Sequence, residues 1–342
     1  MNISRQSRQR NGSVIPWQRI GKDVSACQNS AEALEYAGLD FTVEKRPIFT
    51  YNNENFGQYP TDGIMIPEIE IPKFHAVVRT DSDQPLGVVT DKYKCWQNSD
   101  IFSFFDNIIG ANASFDYAGF VDGGRHVYLT AKLPKEIRIG RDDKIDQFLF
   151  ASTSHDGSKC ISLAYTPVRP FCTNMLNPTN AIHLMHTANL PQRLEQAKRI
   201  LNITRTLTQE TEERYNHWAK IRISDPELKQ LIQLAMAPNK ETLESLKTDE
   251  RDEISARFLN TCDQVYTYAK TSQSQLMDTT LGTVFGAYNA VTGYFQNVHN
   301  YRNDESKLKS MLYGGSGQRH MRNAFNLCEK YAAGGHKALM LN

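Results

Sequence analysis

The sequence predicts an α+β fold, in which a core of antiparallel or mixed β-sheet packs against helices and the C-terminal part is helical. Between residues 73 and 169, apolar and polar residues alternate with the two-residue period of strands. After residue 191, apolar residues recur every three or four positions, as they do in helices. We therefore divide the chain into an N-terminal arm (1–72), an α+β core that ends in a long helix (73–221) and a helical C-terminal region with a basic tail (222–342).

The arm is polar and contains short extended runs that end in proline, at residues 64–67 and 69–72. Proline cannot donate to a sheet ladder, so these runs are expected at edges or connections.

Two hairpins are predicted in the core. The first joins residues 74–78 to 86–89 across a polar turn. The second joins residues 148–153 to 160–165 across Asp156-Gly157, a dipeptide that favours tight turns.

A strand over residues 125–133 separates its side chains into two faces. One face is apolar and carries Val127, Leu129, Ala131 and Leu133, and the other is polar and carries His126, Tyr128, Thr130 and Lys132. We expect the apolar face in the core and the polar face in solvent.

Helices are predicted over residues 101–109, from Pro191 to about residue 221, over residues 284–298 and after Gly317. Ser224-Asp225-Pro226-Glu227 has the pattern of a capping box, which opens a helix by reciprocal side-chain and backbone hydrogen bonds.

Charge is close to balanced, with a formal net charge of +1, so any binding to a polyanion depends on local patches. Residues 1–22 hold five bases and no acid, and residues 302–337 hold seven bases and three acids. Basic ends with an acidic middle suit a polyanionic partner or head-to-tail self-association.

No secretory signal or apolar stretch of membrane-spanning length is seen in the sequence, which favours the cytoplasm and no membrane partner. The six cysteines are scattered without a metal-binding spacing, which predicts reduced thiols. We expect no cofactor and no metal.

Three motifs suggest chemistry but have simpler interpretations. Residues 152–158 contain serine, histidine and aspartate, but triad members come from separate elements, so a turn is favoured. His183 and His186 have helical spacing for a metal but lack a third ligand. Cys172 could pair with His186 as a nucleophile, although its surroundings indicate a buried strand end.

Gly314-Gly315-Ser316-Gly317 stands directly before a predicted helix and is similar to an anion-binding loop. Arg319 and Arg322 follow it and would strengthen anion binding. A flexible loop is the simpler interpretation.

Taken in order, a series of short segments resembles a large family found in phages and plasmids and catalogued as a domain of unknown function. The segments are Leu86-Gly87-Val88-Val89, Tyr93, Gln97-Asn98, Ala118-Gly119, Gly123-Gly124-Arg125, residues 154–158, residues 166–169, residues 172–174, His186-Thr187, Arg193-Leu194, residues 286–292 and Tyr294. The resemblance covers roughly residues 75–335 and implies a mobile-element protein in the host cytoplasm. It implies no catalytic role for any residue.

The leading functional hypothesis is a single-stranded DNA binding or annealing protein of a phage or plasmid, acting in replication or recombination without catalysis. A strand face that combines bases and aromatic rings can hold a single strand, because rings stack on bases and cations contact phosphates. The residues expected to line the groove are Arg125, Tyr128, Lys132, Lys159 and Arg169, and those expected to contact phosphates are Lys307, Lys309, Arg319 and Arg322. Opposite charges on different segments predict a homo-oligomer, including a ring.

Two alternatives stay open. A metal-dependent nuclease or hydrolase could use paired carboxylates and a histidine from among Asp116, Asp122, His126, His155 and Asp156. A protein-binding factor could instead act on host or virion proteins.

Overall fold

The computed structural model describes residues 14–51, 68–107, 109, 113–159, 161–170, 174–175, 181–184, 204–248 and 254–340. The strands are β1 (Lys22–Asp23), β2 (Val43–Tyr51), β3 (Glu68–Arg79), β4 (Pro85–Thr90), β5 (Ser114–Val121), β6 (His126–Lys132), β7 (Ile137–Ile139), β8 (Asp143–Ser154), β9 (Ile161–Arg169), β10 (Asn174–Met175) and β11 (Ala181–Leu184).

The helices are α1 (Pro16–Ile20), α2 (Ser30–Ala37), α3 (Asn98–Phe102), α4 (Thr204–Trp218), α5 (Asp225–Met236), α6 (Lys240–Thr248), α7 (Ala256–Thr271), α8 (Val284–Asn297), α9 (Asp304–Leu312) and α10 (Ser316–Gly334). Short 3-10 turns cover Ser103–Asn107, Asp122–Gly124, Gln273–Gln275 and Gly335–Leu339. The predicted α+β class with a helical C-terminal part is confirmed.

Two antiparallel sheets form the β part of the described chain. The main sheet has the order β1-β5-β6-β8-β9-β10, with β7 paired to β8 and β11 paired to β9. The second sheet has three strands in the order β2-β3-β4. Both predicted hairpins are present, because β3 pairs with β4 and β8 pairs with β9.

The main sheet is a central layer with a separate hydrophobic core on each face. On one face, Tyr128 and Phe150 pack with Trp17 and the C-terminal helices. On the other face, Val127, Leu129 and their neighbours pack with α2, α3 and the three-stranded sheet. The prediction that the polar face of β6 lies in solvent is therefore wrong for His126, Tyr128 and Thr130. These residues are buried because the helices cover this face.

Residues 16–51 are structured and form part of the fold. Trp17 of α1 is fully buried, and its Nε1 donates to Asp116 of β5. Strand β2 pairs with β3 along its length, which joins residues of the expected arm to those of the expected core. Pro72 lies in the central strand of its sheet, where an irregularity between paired residues Glu70 and His75 leaves it outside the ladder.

The local helix signals are confirmed where the structure describes them. Glu227 accepts from the backbone N–H of Ser224, which forms the predicted capping box at the start of α5. Helix α8 matches the predicted apolar stripe, and α10 begins one residue before Gly317. The predicted helix from Pro191 is seen from Thr204 onward as α4, and its earlier part lies outside the described residues.

Candidate nucleic-acid interface

The turn between β8 and β9 is fastened to β4 and to the loop that follows it. A Cβ added at Gly87 would lie 2.5 Å from Cβ of Asp156, so only glycine allows this approach of β4 to the turn. Tyr93 Oη donates to the backbone oxygen of Ser154 over 3.2 Å. The loop after β4 is therefore adjacent to the turn at residues 154–159.

His155 and Asp156 point to different environments, as expected for neighbours on a tight turn. His155 is fully buried, and its Nε2 lies 2.9 Å from Oδ1 of Asn98. Asn98 in turn donates to the backbone oxygen of Leu39, so His155 helps to join the turn to the N-terminal layer. A serine–histidine–aspartate triad at this turn is not supported by this arrangement.

Asp156 is partly buried, and its carboxylate lies 3.8 Å from Nε of Arg125. Burial disfavours the charged form, but hydrogen bonds from Ser158 and the nearby His126 outweigh it and lower the pKa of Asp156. Asp156 is therefore a carboxylate at neutral pH and partly offsets the surrounding cations.

The turn from β5 to β6 has unusual backbone geometry. Asp122, Gly123 and Gly124 adopt positive φ angles of 52°, 69° and 103° in succession. Asp122 accepts a hydrogen bond from Nζ of Lys309 on α9, which holds this turn against the C-terminal helices. His126 lies 3.9 Å from the same carboxylate, and burial lowers its pKa.

Of the five residues weighed for a nuclease, Asp122 and Asp156 both lie near His126, and Asp116 and His155 are elsewhere. Asp116 accepts from Trp17 and Thr130, whereas Asp122 pairs with Lys309 and His155 is in the opposite core. Within the described ranges, no group of three or more His, Cys, Asp or Glu side chains is arranged to hold a metal ion. The His183 side chain, His186 and Cys172 lie outside what the structure describes.

The glycine-rich turn between α9 and α10 differs from the anion-binding loop that it resembles. The N–H of Gly314 donates to Gln318 Oε1 over 2.7 Å, and the N–H of Gly317 donates to Ser310 Oγ over 3.1 Å. A Cβ added at Gly315 would lie 2.5 Å from Cα of Ser310. The glycines allow α9 and α10 to pack closely, and these two N–H groups are already satisfied within the chain.

Three surface segments meet around these turns and bring cations together. The first segment is the end of the three-stranded sheet at which β4 finishes, with Lys73 of β3 and the loop after β4. The second is the turn at residues 154–159 with the start of β6. The third is the α9–α10 turn. We call the set the basic belt, and its residues are Lys73, Lys92, Lys94, Arg125, Lys159, Lys309 and Arg319.

Contacts between the segments make the belt continuous. Tyr93, between Lys92 and Lys94, contacts the 154–159 turn, and a Cβ added at Gly314 would lie 3.3 Å from Nζ of Lys159. Asp91, Asp122 and Asp156 are the acids in direct contact with these segments. Seven bases against three acids leave a local surplus of four positive charges, which favours a polyanion.

The nine residues predicted from the sequence occupy several different positions. Arg125, Lys159, Lys309 and Arg319 are in the basic belt, and Arg322 is exposed one turn further along α10. Lys307 donates to the backbone oxygen of Gln296 over 2.6 Å. Lys132 pairs with Asp146 at the far end of β6, roughly 20 Å along the strand from His126.

Tyr128 and Arg169 are core residues, so we leave both out of the interface. Tyr128 donates to the backbone oxygen of Trp17 over 2.7 Å, and Arg169 forms a buried ion pair with Asp143. Sequence reasoning missed Lys73, Lys92 and Lys94. The alternation Lys92-Tyr93-Lys94 after a strand is the signal that could have found two of them.

No helix in the described part of the chain is long and apolar enough to cross a membrane. No curated protein and no solved structure matches the chain. One family model matches residues 85–312, a range that includes five of the seven belt residues: Lys92, Lys94, Arg125, Lys159 and Lys309. Since this match covers more than half of the sequence, the chain belongs to the family described as Domain of unknown function (DUF932).

Proposed function

We propose that this protein binds single-stranded DNA along the basic belt and acts without catalysis in the replication or recombination of a phage or plasmid. The observation that carries the proposal is the meeting of three cationic segments, distant in sequence, on one continuous surface. A row of cations follows a phosphate backbone without requiring a base sequence. The phage or plasmid setting and the host cytoplasm rest on the sequence resemblance.

The belt also sets an expected size for the electrostatic contribution. Each phosphate contact on a single strand contributes about −0.7 to the slope of log K against log salt concentration. If all seven belt cations contact phosphates, the slope approaches about −5. Three of them, Arg125, Lys309 and Lys94, lie beside an acid or an aromatic ring, so a slope between about −3 and −5 is expected.

The test is fluorescence anisotropy of labelled oligothymidine, about 20 nucleotides long, over a salt series. The variant carries Lys92→Ala and Lys159→Ala, two exposed belt residues on different segments. Loss of two phosphate contacts should reduce the magnitude of the salt slope by about 1.4.

The matched control carries Lys135→Ala and Lys144→Ala. Both residues are exposed and lie near the first half of β8, Lys144 within it and Lys135 in contact with Gln147, so they are roughly 20 Å or more along the strand from Ser154. The control loses the same net charge but should keep the wild-type slope. Equal effects of the two double variants, or no binding by the wild type at low salt, would overturn the proposal.

We also propose that the protein works as a homo-oligomer, with a ring as one form. Light scattering on the free protein and on the DNA complex measures the assembly directly. A monomer in both samples would contradict this part of the proposal and leave the DNA interface unaffected.

A further inference from the structure

The outer face of the three-stranded sheet carries apolar side chains in solvent. Its inner face is in the core, where Val77 and Val89 are buried. On the outer face, Ala76 of β3 is opposite Val88 of β4, and Phe74 is opposite Thr90. Phe74 is 47% exposed and Val88 is 61% exposed.

Single exposed apolar residues are common on proteins and need a second observation before they indicate a ligand. For Phe74, that observation is its position at the end of the basic belt. Phe74 follows Lys73, whose backbone oxygen accepts a hydrogen bond from the N–H of Asp91, and Lys92 comes next. An exposed aromatic ring is thus adjacent to two belt cations.

An ion-paired arginine borders the outer face on its other side. Arg46 of β2 is opposite Ala76 in the ladder, on the same face as Val88, and pairs with Glu44 and Asp83 at the rim. The face therefore combines an aromatic ring and aliphatic surface with charged groups at its margin.

Resting on the proposed function, we infer that Phe74 stacks on an unpaired base of the bound strand and gives the protein its preference for single strands over duplex. A base in a duplex is stacked on its neighbours and does not offer its face to a protein ring. In a single strand every base has an accessible face, and stacking on an aromatic ring tolerates any sequence. The phosphates next to that base contact Lys73 and Lys92, at the same end of the sheet, while the base covers Phe74.

Charge favours a nucleic acid over a second copy of this chain as the occupant of this face. A two-fold contact through the outer face would place the same patch against itself. Both copies would then bring Lys73 and Lys92 to one interface, and the accumulation of like charges there is unfavourable. A polyanion neutralises the same cations.

The experiment compares Phe74→Leu with Phe74→Tyr in the full chain. Leucine keeps an apolar side chain but removes the ring, and tyrosine restores the ring. The matched control is Phe49→Leu, because Phe49 is 45% exposed on the same three-stranded sheet but is opposite Glu70. Affinity for oligothymidine and for a duplex is measured at one salt concentration, and light scattering reports self-association.

Loss of one stacked base should weaken oligothymidine binding by Phe74→Leu roughly 5- to 100-fold. Phe74→Tyr and Phe49→Leu should bind as the wild type does, and duplex binding should not change. This pattern supports the inference. If Phe74→Leu binds oligothymidine as tightly as a wild type that does bind, the stacking role is overturned and the proposed function stands.

Two other outcomes also overturn it. A wild type that binds no DNA removes the proposed function and the stacking role together. A wild-type dimer that dissociates in Phe74→Leu, without loss of DNA affinity, identifies a second copy as the occupant of the outer face.

Discussion

The buried ion pair between Arg169 and Asp143 provides a stability prediction with a defined size. Arg169 is fully buried, and its Nε and Nη2 bind the two carboxylate oxygens at 2.7 Å and 2.6 Å. Its Nη1 donates to the backbone oxygen of Ser274 over 2.8 Å, and Thr279 donates to Asp143 over 2.8 Å. The pair thus ties β8 and β9 to the segment between α7 and α8.

Replacing Arg169 with methionine removes the cation and leaves the Asp143 carboxylate buried without it. Breaking a buried pair in this way costs about 3–5 kcal/mol of unfolding free energy. At about 2 °C per kcal/mol for a chain of this size, Tm should fall by about 6–10 °C.

The assay is urea unfolding followed by circular dichroism, with Lys132→Met as the control. Lys132 pairs with Asp146 at 2.8 Å, but its side chain is 45% exposed, so its loss should cost less than about 1 kcal/mol. The double variant Arg169→Met with Asp143→Leu should cost less than the sum of its single variants, by about 1–3 kcal/mol. A cost below about 1 kcal/mol for Arg169→Met, or strict additivity, would refute the reasoning.

Two further predictions concern packing and pH. Gly286→Ala should destabilise the protein by about 3 kcal/mol or more, because the new Cβ would lie 1.8 Å from the backbone oxygen of Thr280. Thermal unfolding measures this loss, and an unchanged Tm would contradict the prediction. Burial lowers the pKa values of His126, His299 and His320, so the unfolded chain binds more protons than the folded chain below about pH 6.5. The free energy of unfolding should therefore fall as the pH decreases from 7 to 5. Urea titrations at each pH measure this dependence, and His320→Gln should reduce it. Equal slopes of unfolding free energy against pH for wild type and variant would exclude His320 as a contributor.

Local features of this fold could be predicted because their causes are local. The Asp156-Gly157 turn depends on Gly157, whose φ is 74°, and on the hydrogen bond that the backbone N–H of Ser158 donates to the Asp156 carboxylate. The capping box at Ser224 and Glu227 joins residues three positions apart. Such signals are complete within a few residues, so no knowledge of the tertiary structure is needed.

The exposure of β6 could not be predicted in the same way. Alternation along the strand shows that two faces differ, but it does not show whether another layer covers the polar one. Tyr128 can be buried because its hydroxyl donates a hydrogen bond to the backbone oxygen of Trp17, 111 residues away in sequence. The sequence likewise predicts Arg169 to be a surface cation, because its buried partners, Asp143 and the backbone oxygen of Ser274, are distant in sequence.

The candidate interface shows the same division between local and tertiary information. The sequence by itself determined the fold class, the hairpins, the C-terminal helices and four of the seven cations in the basic belt. Only the tertiary structure decided that Lys92, Lys159 and Lys309 share one surface, because those residues are brought together by the Tyr93–Ser154 and Lys309–Asp122 contacts. Proximity of charges that are far apart in sequence is a product of packing, and no local pattern encodes it.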